Sequence, residues 1–151
     1  MIKKICLLIV LTCFIKQSDA QIKIDTSHPG HLGFVIADGA IPKLIAKQFS
    51  FTEGPASDKK GNVFFTDQPN NKIWKYGKDG KLSVFLDSAG RSNGLYFDKR
   101  GNLITCADGY NQLWSINKAG KVTVLLKDFQ GLHFNGPNDL WIHPKGKHLF
   151  H

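Results

Sequence analysis

The chain repeats itself at an interval of 40 residues. Asp58-Lys-Lys-Gly61-Asn62 returns as Asp98-Lys-Arg-Gly101-Asn102, Trp74 as Trp114, Gly80-Lys81 as Gly120-Lys121, and Leu82-Ser-Val-Phe-Leu86 as Val122-Thr-Val-Leu-Leu126. A third copy opens at His143-Pro-Lys-Gly146, 45 residues after the second, and runs to His151. A period of this length builds one supersecondary unit several times over, and each unit buries its apolar face against its neighbours.

Within each unit, short strand-like runs alternate with turn signals. The second unit is expected to form strands at residues 94–97, 102–106, 112–116 and 122–126, separated by Asp98-Lys-Arg-Gly101, Asp108-Gly109 and Asn117-Lys-Ala-Gly120. The first unit matches with residues 55–57, 62–66, 72–76 and 82–86. No stretch beyond residue 20 sustains a helical period with caps. Four strands in 40 to 45 residues is the signature of a β-propeller blade. Coiled β-solenoids repeat at shorter intervals, and tandem β-sandwiches need roughly 100 residues each. Trp74 and Trp114 share one strand position and are expected to fill the wedge between neighbouring sheets, a packing role.

Residues 1–20 read as a secretory signal peptide. Lys3 and Lys4 precede an apolar run from Ile5 to Ile15, and Ser18-Asp19-Ala20 supplies small residues before a cleavage point at Gln21. About 11 apolar residues are too few for a hydrocarbon core that needs about 20, so no stable membrane insertion is expected. A secreted or periplasmic product is expected. Leu11-Thr12 does not favour lipid attachment at Cys13. Removing the peptide takes Cys6 and Cys13 with it, leaving Cys106 without an internal disulfide partner. Its apolar neighbours mark Cys106 as a core thiol rather than a nucleophile.

Residues 21–50 then form a lead-in, and 51–151 a partial propeller. The formal charge of +8 falls to about +6 without the peptide. The lysines are dispersed beside Gly or Asp in turns, without the clustered stripe that nucleic-acid binding requires, so no nucleic-acid partner is expected.

The innermost strand of each blade lines the axis of a propeller, so equivalent positions on these strands converge. Eight residues before Gly61, Gly101 and Gly146 stand Glu53, Asn93 and Asn138. A carboxylate and amide carbonyls meeting at an axis are hard oxygen ligands suited to Ca²⁺ or a similar divalent ion. Glu53 is the only glutamate in the chain, and a buried carboxylate without a partner is costly. The alternative is that each side chain caps its own turn, Asn93-Gly94 being a common turn dipeptide. The histidines lack metal-ligand spacing on one face. No nucleophile elbow or phosphate loop is present.

These residues resemble the SMP-30/gluconolactonase/LRE-like family. The likeness covers about residues 33–150 and rests on Phe51-Thr-Glu-Gly-Pro55, Gly61-Asn-Val-Phe-Phe-Thr-Asp67, Pro69-Asn-Asn71, Ser92-Asn-Gly-Leu95 and Asn135-Gly-Pro-Asn-Asp-Leu140. The resemblance implies an all-β, six-bladed β-propeller with one divalent ion, often calcium, in its central channel. Here it would be an incomplete N-terminal part of about two and a half blades. It further implies hydrolysis of a sugar lactone, with the ion polarising the carbonyl and a base activating water.

By resemblance, Glu53 is a metal ligand and Asn138 contacts substrate near the metal. Asp139 follows it in the same motif, and Asn93 lies in the Asn-Gly-Leu element. The family's catalytic aspartate lies in later blades, so no catalytic residue is expected within this chain. Weak metal binding and little turnover are expected of it alone. Six blades would need roughly 240–270 residues. A different reading is a non-catalytic secreted propeller that binds a ligand or protein. Strictosidine-synthase-like and paraoxonase-like propellers fit Phe51-Thr-Glu-Gly-Pro55 and Pro137-Asn-Asp139 less well.

Overall fold

A computed structural model describes residues 39–143 and 148–150. The signal-peptide reading of residues 1–20 and the turn glycine Gly146 lie outside these residues. The chain divides into two units, Met1–Lys43 and Leu44–His151, and the second holds the described strands. No described helix is long and apolar enough to cross a membrane.

Two four-stranded antiparallel sheets follow one another. The first has β1 (Thr52–Ser57), β2 (Val63–Asp67), β3 (Lys72–Tyr76) and β4 (Leu82–Asp87), paired in chain order. The second has β5 (Ser92–Phe97), β6 (Leu103–Ala107), β7 (Gln112–Ile116) and β8 (Val122–Leu126), paired likewise. A short hairpin, β9 (Asp128–Phe129) with β10 (Leu132–His133), precedes a third sheet begun by β11 (Leu140–Ile142) and β12 (His148–Phe150). Two up-and-down blades and the opening of a third make this part of a β-propeller, with strand positions within a few residues of those expected.

The β9–β10 hairpin had no sequence expectation. Its two-residue turn places Gln130 and Gly131 at φ 53° and 81°, the mirror-image turn whose twist matches paired strands. A glutamine gives this turn a weaker signal than the usual asparagine.

In the second blade, burial falls from the inner strands to the outer edge. All five residues of β6 are buried, whereas β8 is largely exposed. A strand covered on both faces needs apolar or satisfied side chains at successive positions, as Leu103-Ile-Thr-Cys-Ala107 supplies. Its alternate residues serve different interfaces. Leu103 joins Phe64, Ile73, Ala89, Leu95 and Ile116 between the two blades. Ile104 and Cys106 join Leu113, Leu140 and Ile142 against the third.

Phe64 anchors the first interface, with Phe85 and Phe97 packed edge-on, each at 5.0 Å between ring centroids. Trp114 is buried against Gly90 of the connection between blades, and its indole N–H donates to Gln112 Oε1 at 2.7 Å. Trp74 is half-buried and packs edge-on against Phe49 of the lead-in. Its Nε1 has no hydrogen-bond acceptor, because Lys72 replaces glutamine two residues earlier.

The repeated Asp-x-x-Gly-Asn turn has a local cause. Asp58 Oδ1 accepts from the backbone N–H groups of Lys60 and Asn62, and its Oδ2 accepts from the Asn62 side chain. Asp98 holds Asn102 similarly. Gly61 and Gly101 take φ of 83° and 82°, where a side chain would be strained. Burial pushes Asp58 upward, but the Asn62 and Lys60 hydrogen bonds and the Lys75 charge outweigh it, leaving the carboxyl below its ordinary 3.8. A depressed carboxylate adds stability above its unfolded pKa and loses it as pH falls through the folded value. Acid unfolding of Asp58→Asn followed by circular dichroism should therefore show a smaller loss of stability below pH 3.8 than the parent chain. Ile73, wholly buried between the blades, should cost about 2–5 kcal/mol when replaced by alanine, measured by urea unfolding.

Candidate functional site

The leading ends of β1 and β5, and the residues just before β11, bring the three repeat-equivalent positions side by side. Close backbone approach makes this possible. A Cβ on Gly54 would lie 2.5 Å from the Asn93 carbonyl oxygen, and one on Gly94 would lie 3.0 Å from that of Asn138. The Gly94 N–H donates to the Asn138 carbonyl at 2.8 Å. The β1–β2 pairing is irregular between Glu53 and Ala56, and the β5–β6 pairing between Ser92 and Leu95. Matching bulges thus re-aim the same position in both blades. Asn93 is buried within a strand, so it does not cap a turn.

Glu53 is half-buried, while Asn138 and Asp139 are exposed. Burial, followed by the negative charges of Asp139 and Asp108, pushes the Glu53 carboxyl above its ordinary 4.5. The Glu53 carbonyl accepts from Thr66 Oγ1 at 3.0 Å, and Asp139 Oδ1 accepts from the Leu140 N–H at 2.7 Å.

Asp108, which in the sequence stands only as part of the Asp108-Gly109 turn signal, is a member of this acidic group. It lies in a single 3₁₀ turn, Asp108–Tyr110, directly after β6. Because β6 runs antiparallel to β5, its last residues return to the end where Asn93 stands, and strand polarity alone could have pointed there. Asn111 Oδ1 accepts from the Gly136 N–H at 2.9 Å, and a Cβ on Gly136 would meet Asp108 Oδ1 at 2.7 Å. The Asn135-Gly-Pro segment is thereby pinned over Asp108.

Two further side chains fix the approach to the site. Asp67 is wholly buried, and its Oδ1 accepts from the N–H groups of Ser50 and Phe51 at 3.1 and 3.3 Å. Its Oδ2 accepts from Asn70 Nδ2 at 2.8 Å. This anchors the chain two residues before Glu53. Asn71 accepts from the Arg91 N–H through Oδ1 at 2.7 Å and from the Ala89 N–H through its carbonyl at 2.9 Å, tying the connection between blades.

The side chains near this end, the carboxylates of Glu53, Asp108 and Asp139 and the amides of Asn93 and Asn138, carry hard oxygens of the type a divalent cation takes. A cation there would favour the ionised Glu53 against the burial and the neighbouring negative charges that raise it. Among the described residues, no three acidic, histidine or cysteine side chains are close enough to form a ready metal cluster, and calcium takes about 6–8 oxygens. Cys106 is wholly buried, and burial together with the Asp139 charge pushes its thiol up to about 12. It is therefore inert as a nucleophile at neutral pH.

Comparison with known proteins agrees with the blade topology. Residues 51–150 match the sequence profile of the SMP-30/Gluconolactonase/LRE-like region. No curated protein matches the sequence. A structural-genomics structure, whose name proposes a gluconolactonase, superposes with a TM-score of 0.67 and 31% identity over 72% of this chain and 38% of its own. A Xanthomonas campestris gluconolactonase gives a TM-score of 0.67 and 25% identity over 70% of this chain and 36% of its own. A streptogramin B lyase, at TM-score 0.57 and 21% identity over 70% of this chain and 35% of its own, shares the fold. The chain thus spans a little over a third of the length of these solved structures. The repeat, the blade topology and the profile match together establish that the chain belongs to the SMP-30/gluconolactonase/LRE-like family.

Proposed function

We propose that this chain is the N-terminal part of a metal-dependent hydrolase acting on a sugar lactone. The observation that carries the reading is Glu53: the only glutamate, on an innermost strand, pushed toward protonation by burial and by Asp139 and Asp108. A divalent ion, with calcium as the proposed species, would be held by Glu53, with Asn138 and Asp139 beside it and Asn93 supporting the adjoining strand. When bound, such an ion supplies a Lewis acid for the lactone carbonyl. The chain's own residues orient the substrate through the exposed Asn138 amide. Gly94 holds that segment by its backbone bond.

The described residues offer few convergent oxygens, so we propose that the chain alone binds the ion weakly and turns over little lactone. Full activity would belong to a protein of the relatives' length. Secretion or periplasmic export is proposed from Lys3, Lys4 and the Ile5–Ile15 run. Exported protein should begin at Gln21 on N-terminal sequencing, and retention of Met1 would overturn that assignment.

The metal assignment makes paired predictions of opposite sign. A carboxyl raised in the folded state costs stability once it ionises. Metal-free Glu53→Gln should accordingly melt higher than the parent at pH 7, by up to a few degrees. Calcium present at about 100 times its Kd adds about 2.7 kcal/mol to a chain that binds it. Calcium raised well above its Kd should therefore raise the parent's Tm and leave Glu53→Gln unmoved. An equal calcium response in both would remove Glu53 from the site. In a full-length relative carrying the same motif, the corresponding Gln variant should lose at least 100-fold in lactone hydrolysis.

A further inference from the structure

At the opposite end of the two blades lies a cleft of about 920 Å³. Its floor is the apolar seam between the sheets, where the half-buried Phe85 and Phe97 cover the buried Phe64, Leu95, Leu103 and Ile116. Its rim carries Lys59, Lys60, Lys75, Lys99, Arg100 and Lys118. The repeat brings these cations together: Lys59 and Lys60 stand on the turn after β1, and Lys99 and Arg100 on the equivalent turn after β5.

Lys59 Nζ donates to the Lys99 carbonyl at 3.0 Å, joining the turns across the seam. Lys118 lies over Gly101, and Lys75 Nζ sits 6.0 Å from the Phe64 ring centroid, where charge and apolar floor meet. Asp58 and Asp98 also line the cleft, Asp58 within the field of Lys75, which leaves the six rim cations in excess over two carboxylates. The ion pairs found among the described residues, Lys72–Asp87 and Lys81–Asp79, involve none of the rim cations.

We propose that this cleft binds a single-chain anionic amphiphile, an alkyl carboxylate, with the chain on the aromatic and aliphatic floor and the head group among the rim cations. The volume falls within the range of small-molecule sites, which pair an apolar lining with a few charged groups. A small inorganic anion would leave the floor unused. An uncharged alkane would leave the excess of rim cations over Asp58 and Asp98 uncompensated. A second copy of the same face would set like charges against each other.

The test is calorimetric titration of the full chain with decanoate, hexanoate and decanol. Each buried methylene tightens binding about fourfold, so decanoate should bind on the order of 100-fold more tightly than hexanoate. Decanol should bind at least tenfold more weakly than decanoate. Doubling the salt should weaken decanoate but not decanol. The double variant Lys99→Glu/Arg100→Glu should lose at least tenfold for decanoate and retain its far-ultraviolet circular dichroism. Lys118→Gln offers a milder second variant with a smaller loss, and Lys121→Glu, outside the cleft, should change nothing. Absent decanoate binding, equal affinity for hexanoate or for decanol, or unchanged binding in both rim variants would overturn the proposal. So would dimerisation through this face that excludes decanoate.

Discussion

The close approach of β1, β5 and the segment before β11 is the contact on which the rest of the structure depends. Gly54 against the Asn93 carbonyl, and the Gly94 N–H on the Asn138 carbonyl, bring backbones together at distances that no Cβ would permit. Once the inner strands meet this closely, the sheets can only splay outward. The wedge between them must then be filled by larger side chains, as Phe64, Phe85 and Phe97 fill it. Glu53 and Asn93 are each followed by a glycine that permits this approach, so the candidate site positions and the packing of the inner strands are set by neighbouring residues.

Strand polarity then separates charge. Odd-numbered strands of each blade leave the end where Glu53 and Asn93 stand, and even-numbered strands return to it. Asp108 therefore joins Glu53 and Asp139, while the turns after β1 and β5 carry their lysines to the far end. Strands of five or six residues put roughly 17–20 Å between the two ends. That is about two Debye lengths at physiological salt, so each end keeps its own field. The acidic end suits a cation, and the basic end an anion.

Much of the blade was legible in advance because its causes are local. The Asp58 and Asp98 side chains close their own turns, glycines stand where φ is positive, and period-two or continuous apolar runs mark strands. The spacing of 40 residues made each prediction testable against its copy. The neighbouring placement of Glu53, Asn93 and Asn138 was also legible, because equivalent positions of successive blades lie side by side. The β9–β10 hairpin was not, since Gln130-Gly131 is a weak turn signal. Asn93-Gly94 allowed a turn reading locally, and burial against neighbouring strands made it part of β5. Asp67 was visible as a motif residue, but its capture of the Ser50 and Phe51 N–H groups required the lead-in to fold back over β2.

The amino-acid sequence by itself determined the repeat unit, its turns, its strand order and the identity of Glu53, Asn93 and Asn138 as equivalent positions. These follow from short-range sterics, hydrogen bonding within turns and the arithmetic of a period. Only the tertiary structure decided which charges share a space. Lysines dispersed along the chain form one rim because successive blades set their equivalent turns side by side. Asp108 stands beside Glu53 because an antiparallel strand returns to the end from which its partner left. Charge interactions depend on distance through space, which the chain's order constrains but packing between blades sets.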